Sequence, residues 1–209
     1  MTLKAKGKYI FIILLFSKTI LSDSIIEKNK PSLIIYGGKY TSTDLLPILF
    51  RQRTDYKDST LGVIGLNYPL KYKIRFIDIE SEGLIGKHFG IMNHWEADGL
   101  MIARVSNLFN LPMSFAFGEG LSISSQNPLI ENQKKGFSVQ NGLFEKQGIE
   151  SRNILNYLMV ELDFRVWNYP SNPRIFMRIH HRSGVFGFYC PPDPACGSNF
   201  ISYGFKISY

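Results

Sequence analysis

Apolar and polar residues alternate with a period of two along most of the chain, and few windows carry a helical period. The clearest case is residues 155–167. Leu158, Val160, Leu162, Phe164 and Val166 fall on one face, and Met159, Glu161, Asp163, Arg165 and Trp167 on the other. A soluble sandwich would turn its polar face to bulk water. A face of mixed, opposite charges suits the packed interior of a small barrel instead. Residues 198–209 repeat the pattern, with Ile201, Tyr203, Phe205, Ile207 and Tyr209 against Ser202, Gly204, Lys206 and Ser208. The alternation predicts strands over 32–40, 59–68, 72–88, 94–105, 111–124, 154–167, 173–184 and 198–209. The chain is thus read as all-β: an eight-stranded antiparallel transmembrane barrel of the bacterial outer membrane.

The connections carry independent information. Those after the second, fourth and sixth strands are short and rich in turn residues: Asn67-Tyr68-Pro69-Leu70, Asn107-Leu108-Phe109-Asn110 and Asn168-Tyr169-Pro170-Ser171-Asn172-Pro173. The long ones, 41–58, 125–153 and 185–197, follow odd-numbered strands, with 89–93 as a short exception. Outer-membrane barrels have this asymmetry, with short periplasmic turns and longer external loops. Closure is required because an open sheet edge in lipid leaves backbone groups without partners. Eight strands enclose room for side chains only, which excludes a pore. Within 125–153, Asn132-Gln133-Lys134-Lys135 and Gly148-Ile149-Glu150-Ser151 read as solvated surface.

The amino end changes the reading of the charge. Lys4, Lys6 and Lys8 precede an apolar run from Tyr9 to Phe16, and Ser22 offers a small residue for cleavage. That is the layout of a secretory signal, and the run is too short for a membrane-spanning helix. The expected organisation is a signal peptide at 1–22 and a barrel domain at 23–209. Removing the signal deletes Lys4, Lys6, Lys8 and Lys18 and no acid, so the formal charge of +7 loses most of its excess. A nucleic-acid partner is therefore not expected. Cys190 and Cys196 form a close pair, read in an exported protein as a disulfide that staples a loop.

Candidate chemistry lies in the seventh strand. By parity, Arg174, Phe176, Arg178, His180 and Arg182 share one face, and Ile175, Met177, Ile179, His181 and Ser183 the other. Arginines facing lipid would each cost about 2–4 kcal/mol at the midplane, so the first set is luminal. The second set faces the membrane and ends in His181 and Ser183 near the external surface. Residues two apart on a strand lie about 6.5–7 Å apart on one face, within reach of an imidazole leaning toward a hydroxyl. Serine needs a base to take its proton, and histidine is the usual one near neutral pH. A third group should orient the histidine. Asn199, in phase with Ile201 and Tyr203 at the start of the last strand, is outward and nearby; Asp193 in the loop above is a second candidate.

His181-Arg182-Ser183, followed by a loop and a terminal strand ending in an aromatic residue, resembles the PagL-type lipid A 3-O-deacylases. The resemblance covers mainly 173–209. It implies an eight-stranded outer-membrane barrel, His181 as base and Ser183 as nucleophile, with an outer-membrane lipid (lipid A or a phospholipid) as substrate and no cofactor. The family's glutamate falls where this chain has Ser198-Asn199, so Asn199 is an amide in its place. The family favours Asn after the serine; here Gly184 follows, with its backbone N–H as the expected oxyanion donor. The alternative function is a non-enzymatic barrel that anchors or adheres through its external loops, chiefly 125–153 and 185–197. His180 and the luminal arginines are expected to partner Glu161, Asp163 and similar acids in a barrel-interior network. Glu119, between Gly118 and Gly120, is expected to be turned inward by a bulge. His94, Trp95, Glu96 and Trp167 read as interface or interior residues. His88 and His94 flank a loop, and for want of a carboxylate cluster no metal is assigned.

Overall fold

A computed structural model of the chain describes residues 30–43, 45–50, 54–131, 133–137, 145–149, 151–167, 171–185, 188–190 and 196–209. The expected signal segment 1–22 and Asp193 lie outside the described residues. The strands are β1 (Ser32–Thr41), β2 (Tyr56–Ile74), β3 (Ile77–Gly90), β4 (Trp95–Val105), β5 (Met113–Ser124), β6 (Gln133–Phe137), β7 (Glu145–Ile149), β8 (Ile154–Arg165), β9 (Arg174–Ser183) and β10 (Gly197–Ser208), with one short helix, α1 (Leu45–Phe50), before β2. Eight of them close into a barrel in the order β1-β10-β9-β8-β5-β4-β3-β2, every neighbouring pair antiparallel, while β6 and β7 form a separate two-stranded sheet.

Why the strands alternate is visible in their burial. Along β4, Trp95, Ala97, Gly99 and Met101 are exposed, and Glu96, Asp98, Leu100 and Ile102 are buried. Ile35, Ile64, Leu66, Ile85, Phe115, Phe117, Ile123, Ile175 and Met177 point outward on their strands and are among the exposed apolar side chains. The interior instead holds Glu80, Glu82, Arg104, Glu161, Asp163, Arg178 and Lys206. Such an inside-out barrel is stable only where lipid covers the apolar face, so the chain is an outer-membrane barrel.

The lower lumen is a closed ion network. Arg178 donates to Glu82 Oε1 at 2.5 Å and to Glu161 Oε2 at 2.5 Å. Arg104 reaches Glu80 at 2.8 Å, Glu161 at 2.9 Å and also Asp163; Arg174 pairs with Asp163, and Lys206 with Glu161 at 3.1 Å. Arg174 and Arg178 thus partner Asp163 and Glu161 as expected, whereas Arg182 pairs with Glu131 and His180 with Glu96. Above them, Ile34, Tyr36, Ile102, Tyr157, Met159, Phe176 and Phe200 fill the waist.

Three expectations need correction. No turn forms at 67–70: β2 and β3 run on to a tip at Arg75-Phe76, where Arg75 takes φ 55°. The pairing register shifts between Pro69 and Lys73. The ladder thus absorbs a proline, which has no N–H to give, instead of ending at it. The segment after β5 is not merely solvated: Leu129–Glu131 forms a 3-10 turn, and Glu131 and Ser151 are buried over the barrel mouth. Glu119 is exposed on the outer face of β5, and its pairing with Met101 and Leu158 runs without a register shift. Gly118 and Gly120 therefore make no bulge; a side chain at Gly118 would collide with Leu100, Met159 and Ile102 inside.

Candidate active site

The upper end of β9 splits as parity predicts. His180 and Arg182 are buried in the lumen, while His181 and Ser183 are half-buried on the outer face. Ile179, on that same outward parity, is buried as well, so lipid contact on this strand is made by Ile175 and Met177.

The β9–β10 register brings two of the outward residues together. Asn199 lies directly opposite His181 in the β9–β10 ladder. Facing residues of an antiparallel pair put their Cβ atoms about 4.5–5.5 Å apart, which lets two short side chains meet. Nδ1 of His181 lies 2.5 Å from Oδ1 of Asn199. An amide oxygen only accepts, so Nδ1 carries the proton and Nε2 is the basic nitrogen of the neutral ring. Asn199 is itself fixed, because its Nδ2 donates to the carbonyl of Thr43 at 3.0 Å. That second bond decides which end of the amide meets the imidazole.

Ser183 sits two residues along the same face. Its Oγ accepts from the Val185 N–H at 3.2 Å. Val185 has φ 44°, a conformation in which a β-branched residue is strained, and strain of this kind concentrates at functional sites. The Gly184 N–H, expected to serve an oxyanion, is committed elsewhere: it donates to the Cys196 carbonyl at 3.1 Å. The reason is the expected disulfide, Cys190–Cys196, which is present and packs over Gly184. A Cβ at 184 would run into both sulfurs, so glycine is required where the resemblance favours asparagine.

Sequence reasoning missed two residues. Thr43 is one, and nothing in a linear pattern links its carbonyl to residue 199. Asn156 is the other. It faces Ser183 directly in the β8–β9 ladder and is buried, with only 6% of its surface exposed. Its parity with Leu158 and Val160 was legible; its height beside Ser183 depends on the register.

A second cluster occupies the lumen behind this strand. His180 Nε2 lies 2.9 Å from Glu96 Oε1, and its Nδ1 receives the hydroxyls of Tyr36 at 2.9 Å and Tyr157 at 3.1 Å. His88 Nε2 lies 2.6 Å from Glu96 Oε2. Two groups here bring imidazoles and carboxylates within ligating distance of one another: His88, His94 and Glu96, and Glu96, Asp98 and His180. The carboxylate that stands beside His88 and His94 is thus Glu96, and Asp98 groups with Glu96 and His180. At the mouth, Glu131 takes Arg182 at 2.8 Å, Ser151 at 2.6 Å and Ser198 at 2.7 Å. Its burial nevertheless holds the carboxyl above its usual range.

No family model and no curated protein matches the sequence. Among solved structures, the chain is similar to the outer membrane enzyme PagL at 8% identity, over 85% of this chain and 99% of that one, with a TM-score of 0.49. It is also similar to Neisserial surface protein A (NspA) at 10% identity, over 86% of this chain and 96% of that one, with a TM-score of 0.46. At such identities no activity passes from either protein to this chain.

Proposed function

We propose that this outer-membrane barrel hydrolyses an acyl ester of an outer-leaflet lipid, lipid A or a phospholipid. Ser183 is the nucleophile, His181 the base and Asn199 the group that orients the base. One observation carries the reading: a histidine on the lipid-facing side of a strand, two residues from a serine, is held through Nδ1 by a fixed amide oxygen. A polar trio facing lipid does nothing for the stability of the barrel wall, and it is what a lipid substrate needs.

In the reaction, Nε2 of His181 takes the Ser183 proton as Oγ attacks the ester carbonyl. The tetrahedral intermediate collapses, the leaving alkoxide takes that proton, and water then releases the fatty acid from the acyl-enzyme. No cofactor is called on. The Gly184 N–H being engaged, the Asn156 carboxamide is the oxyanion donor we assign, because it faces Ser183 across the ladder. The orienting residue at 199 is neutral, so it sets the tautomer of the imidazole and contributes less to the imidazolium than a carboxylate does.

The test is Ser183→Ala in cells carrying the full chain, with mass analysis of extracted lipid A and phospholipids. The wild type yields species lighter by one acyl chain, and the variant does not. Identical acyl patterns in the two would refute the proposal. The second reading, adhesion through external loops, is favoured by the separate two-stranded β6–β7 sheet and the Cys190–Cys196 disulfide. Surface binding that persists in Ser183→Ala and disappears on exchange of 125–153 would establish it.

A further inference from the structure

The lumen is not evenly neutralised. In its lower half, the acids Glu80, Glu82, Glu161 and Asp163 are met by an equal number of bases, Arg104, Arg174, Arg178 and Lys206. In the upper half, the buried acids are Glu96, Asp98 and Glu131, and among the described residues the guanidinium reaching this group is Arg182 alone. With the carboxyls ionised and the histidines neutral, the formal balance is two negative charges. Uncompensated buried charge is disfavoured, so protons or a cation of charge up to +2 belong here.

The donors for it are in place. Oε1 of Glu96 is occupied, accepting from Ser122 at 2.9 Å and held by His180 at 2.9 Å. Oε2 faces Nε2 of His88 at 2.6 Å. His94, from the connection between β3 and β4, stacks on His88 with ring centroids 4.1 Å apart. It is 2% exposed, yet neither of its ring nitrogens has a hydrogen-bond partner. Nδ1 of His88 and both oxygens of Asp98 are buried without partners too. A native interior leaves few such atoms unexplained, and His88, His94 and Glu96 each bring a ligating atom within 4.8 Å of the others.

We infer that the upper lumen is a binding site for one borderline divalent cation of the zinc class, ligated by His88, His94 and Glu96 Oε2. Two imidazoles and a carboxylate are the donor set such ions take, at bonds of about 2.0–2.2 Å. His180 belongs to the outer shell, because both its nitrogens already have partners: it fixes the Glu96 carboxylate, as histidine-bound carboxylates are usually fixed. Asp98, beside the site, supplies the second negative charge. The ligands lie on the luminal side of the wall and His181 and Ser183 on the lipid side, so this site is independent of the proposed hydrolase.

The experiment uses the full chain folded in detergent micelles, stripped with a chelator, equilibrated with Zn²⁺ alone and assayed by elemental analysis. The wild type should retain about one Zn²⁺ per chain, and His94→Ala should bind it about tenfold or more weakly. His94 lies outside the strands, and folding of the variant is checked by heat-modifiable gel mobility. Folded wild type that retains essentially no Zn²⁺ overturns the inference, as does wild-type affinity in His94→Ala. If the variant fails to fold, Co²⁺ added to the wild type decides: visible absorption of a low-coordinate nitrogen-oxygen site supports the inference, and the spectrum of hydrated Co²⁺ overturns it. The two excess charges would then be neutralised by two protons.

Discussion

Asn199→Ala tests the proposed chemistry most directly. The Nδ1–H···Oδ1 bond is 2.5 Å long and half-buried, so its loss matters in every state of the enzyme. With a neutral ring, such a bond contributes about 0.5–1.5 kcal/mol net; with the imidazolium that forms as Ser183 attacks, about 1.5–3 kcal/mol. Only the difference raises the barrier to acyl transfer. That difference is about 1–1.5 kcal/mol, or a 5- to 13-fold fall in kcat/KM. Tautomer and ring orientation add to it, as the larger loss in serine proteases stripped of their orienting group shows. Asn199→Asp separates charge from orientation. A carboxylate supports the imidazolium better, but the oxygen replacing Nδ2 then meets the Thr43 carbonyl, with no proton between them. The carboxylate also raises the pKa of the base, so the pH–rate profile of Asn199→Asp should move to higher pH, which a merely structural role would not produce. The assay is release of fatty acid from defined lipid in outer-membrane vesicles, against Ser183→Ala as the zero. An Asn199→Ala rate within about twofold of wild type, with an unchanged pH profile, would remove Asn199 from the mechanism.

Other predictions concern the barrel itself. Arg178 is fully buried between Glu82 and Glu161 and beneath the Tyr36 ring, so Arg178→Met should cost about 3–5 kcal/mol in urea unfolding. Adding Glu82→Gln should recover a large part of that, because Glu161 keeps Arg104 and Lys206 while Glu82 keeps only a long contact to Asn67; equal losses in the single and double variants would contradict the network. Glu119 faces lipid, so Glu119→Leu should raise the unfolding midpoint in vesicles, by no more than the ~2 kcal/mol that an outward charge costs; a drop would mean the carboxylate has a partner worth more than its desolvation. Glu131 is held above the usual carboxylate range by burial, so the folded barrel binds its proton more tightly than the unfolded chain. Its contribution is full at acid pH and is lost as pH rises through the raised value. Relative to Glu131→Gln, the wild type should therefore lose stability as pH rises above 4.5, measured as unfolding midpoints at fixed ionic strength.

Parity was the part of the fold that the sequence made legible. A strand in a lipid-facing barrel has one apolar and one mixed face, so every odd–even split of the 155–167 and 173–184 segments could be read directly. Height was not legible. Which residues stand level depends on register, and register depends on the turns. The β2–β3 hairpin passes straight through Asn67-Tyr68-Pro69-Leu70 because a shifted register accommodates Pro69. The same ignorance of height hid Asn156 beside Ser183 and Glu96 beside His88 and His180. Residues 96 and 180 come from opposite parts of the chain and meet only because the barrel closes. Glu119 failed for a different reason. A cost to stability turns a side chain inward only where there is room, and the space inside is already filled by Leu100, Ile102 and Met159.

The two faces of β9 carry opposite arguments for the same kind of residue. His180 and His181 are adjacent, and both have an oxygen near a ring nitrogen. Inside, a histidine between Glu96 and two tyrosines is part of what fills and fixes a small barrel, and its presence says nothing about lipid. Outside, the neighbours of His181 on its own face are Ile179 and Ser183, and its cross-strand partners are Leu158 and Asn199. Packing there would be served at least as well by leucine. A histidine and an asparagine kept at that position, with the asparagine tied at its far end to Thr43, spend conformational freedom on direction. Direction matters to a reaction and is of no use to a wall, which is why the outer pair, and not the inner cluster, is where the hydrolysis is assigned.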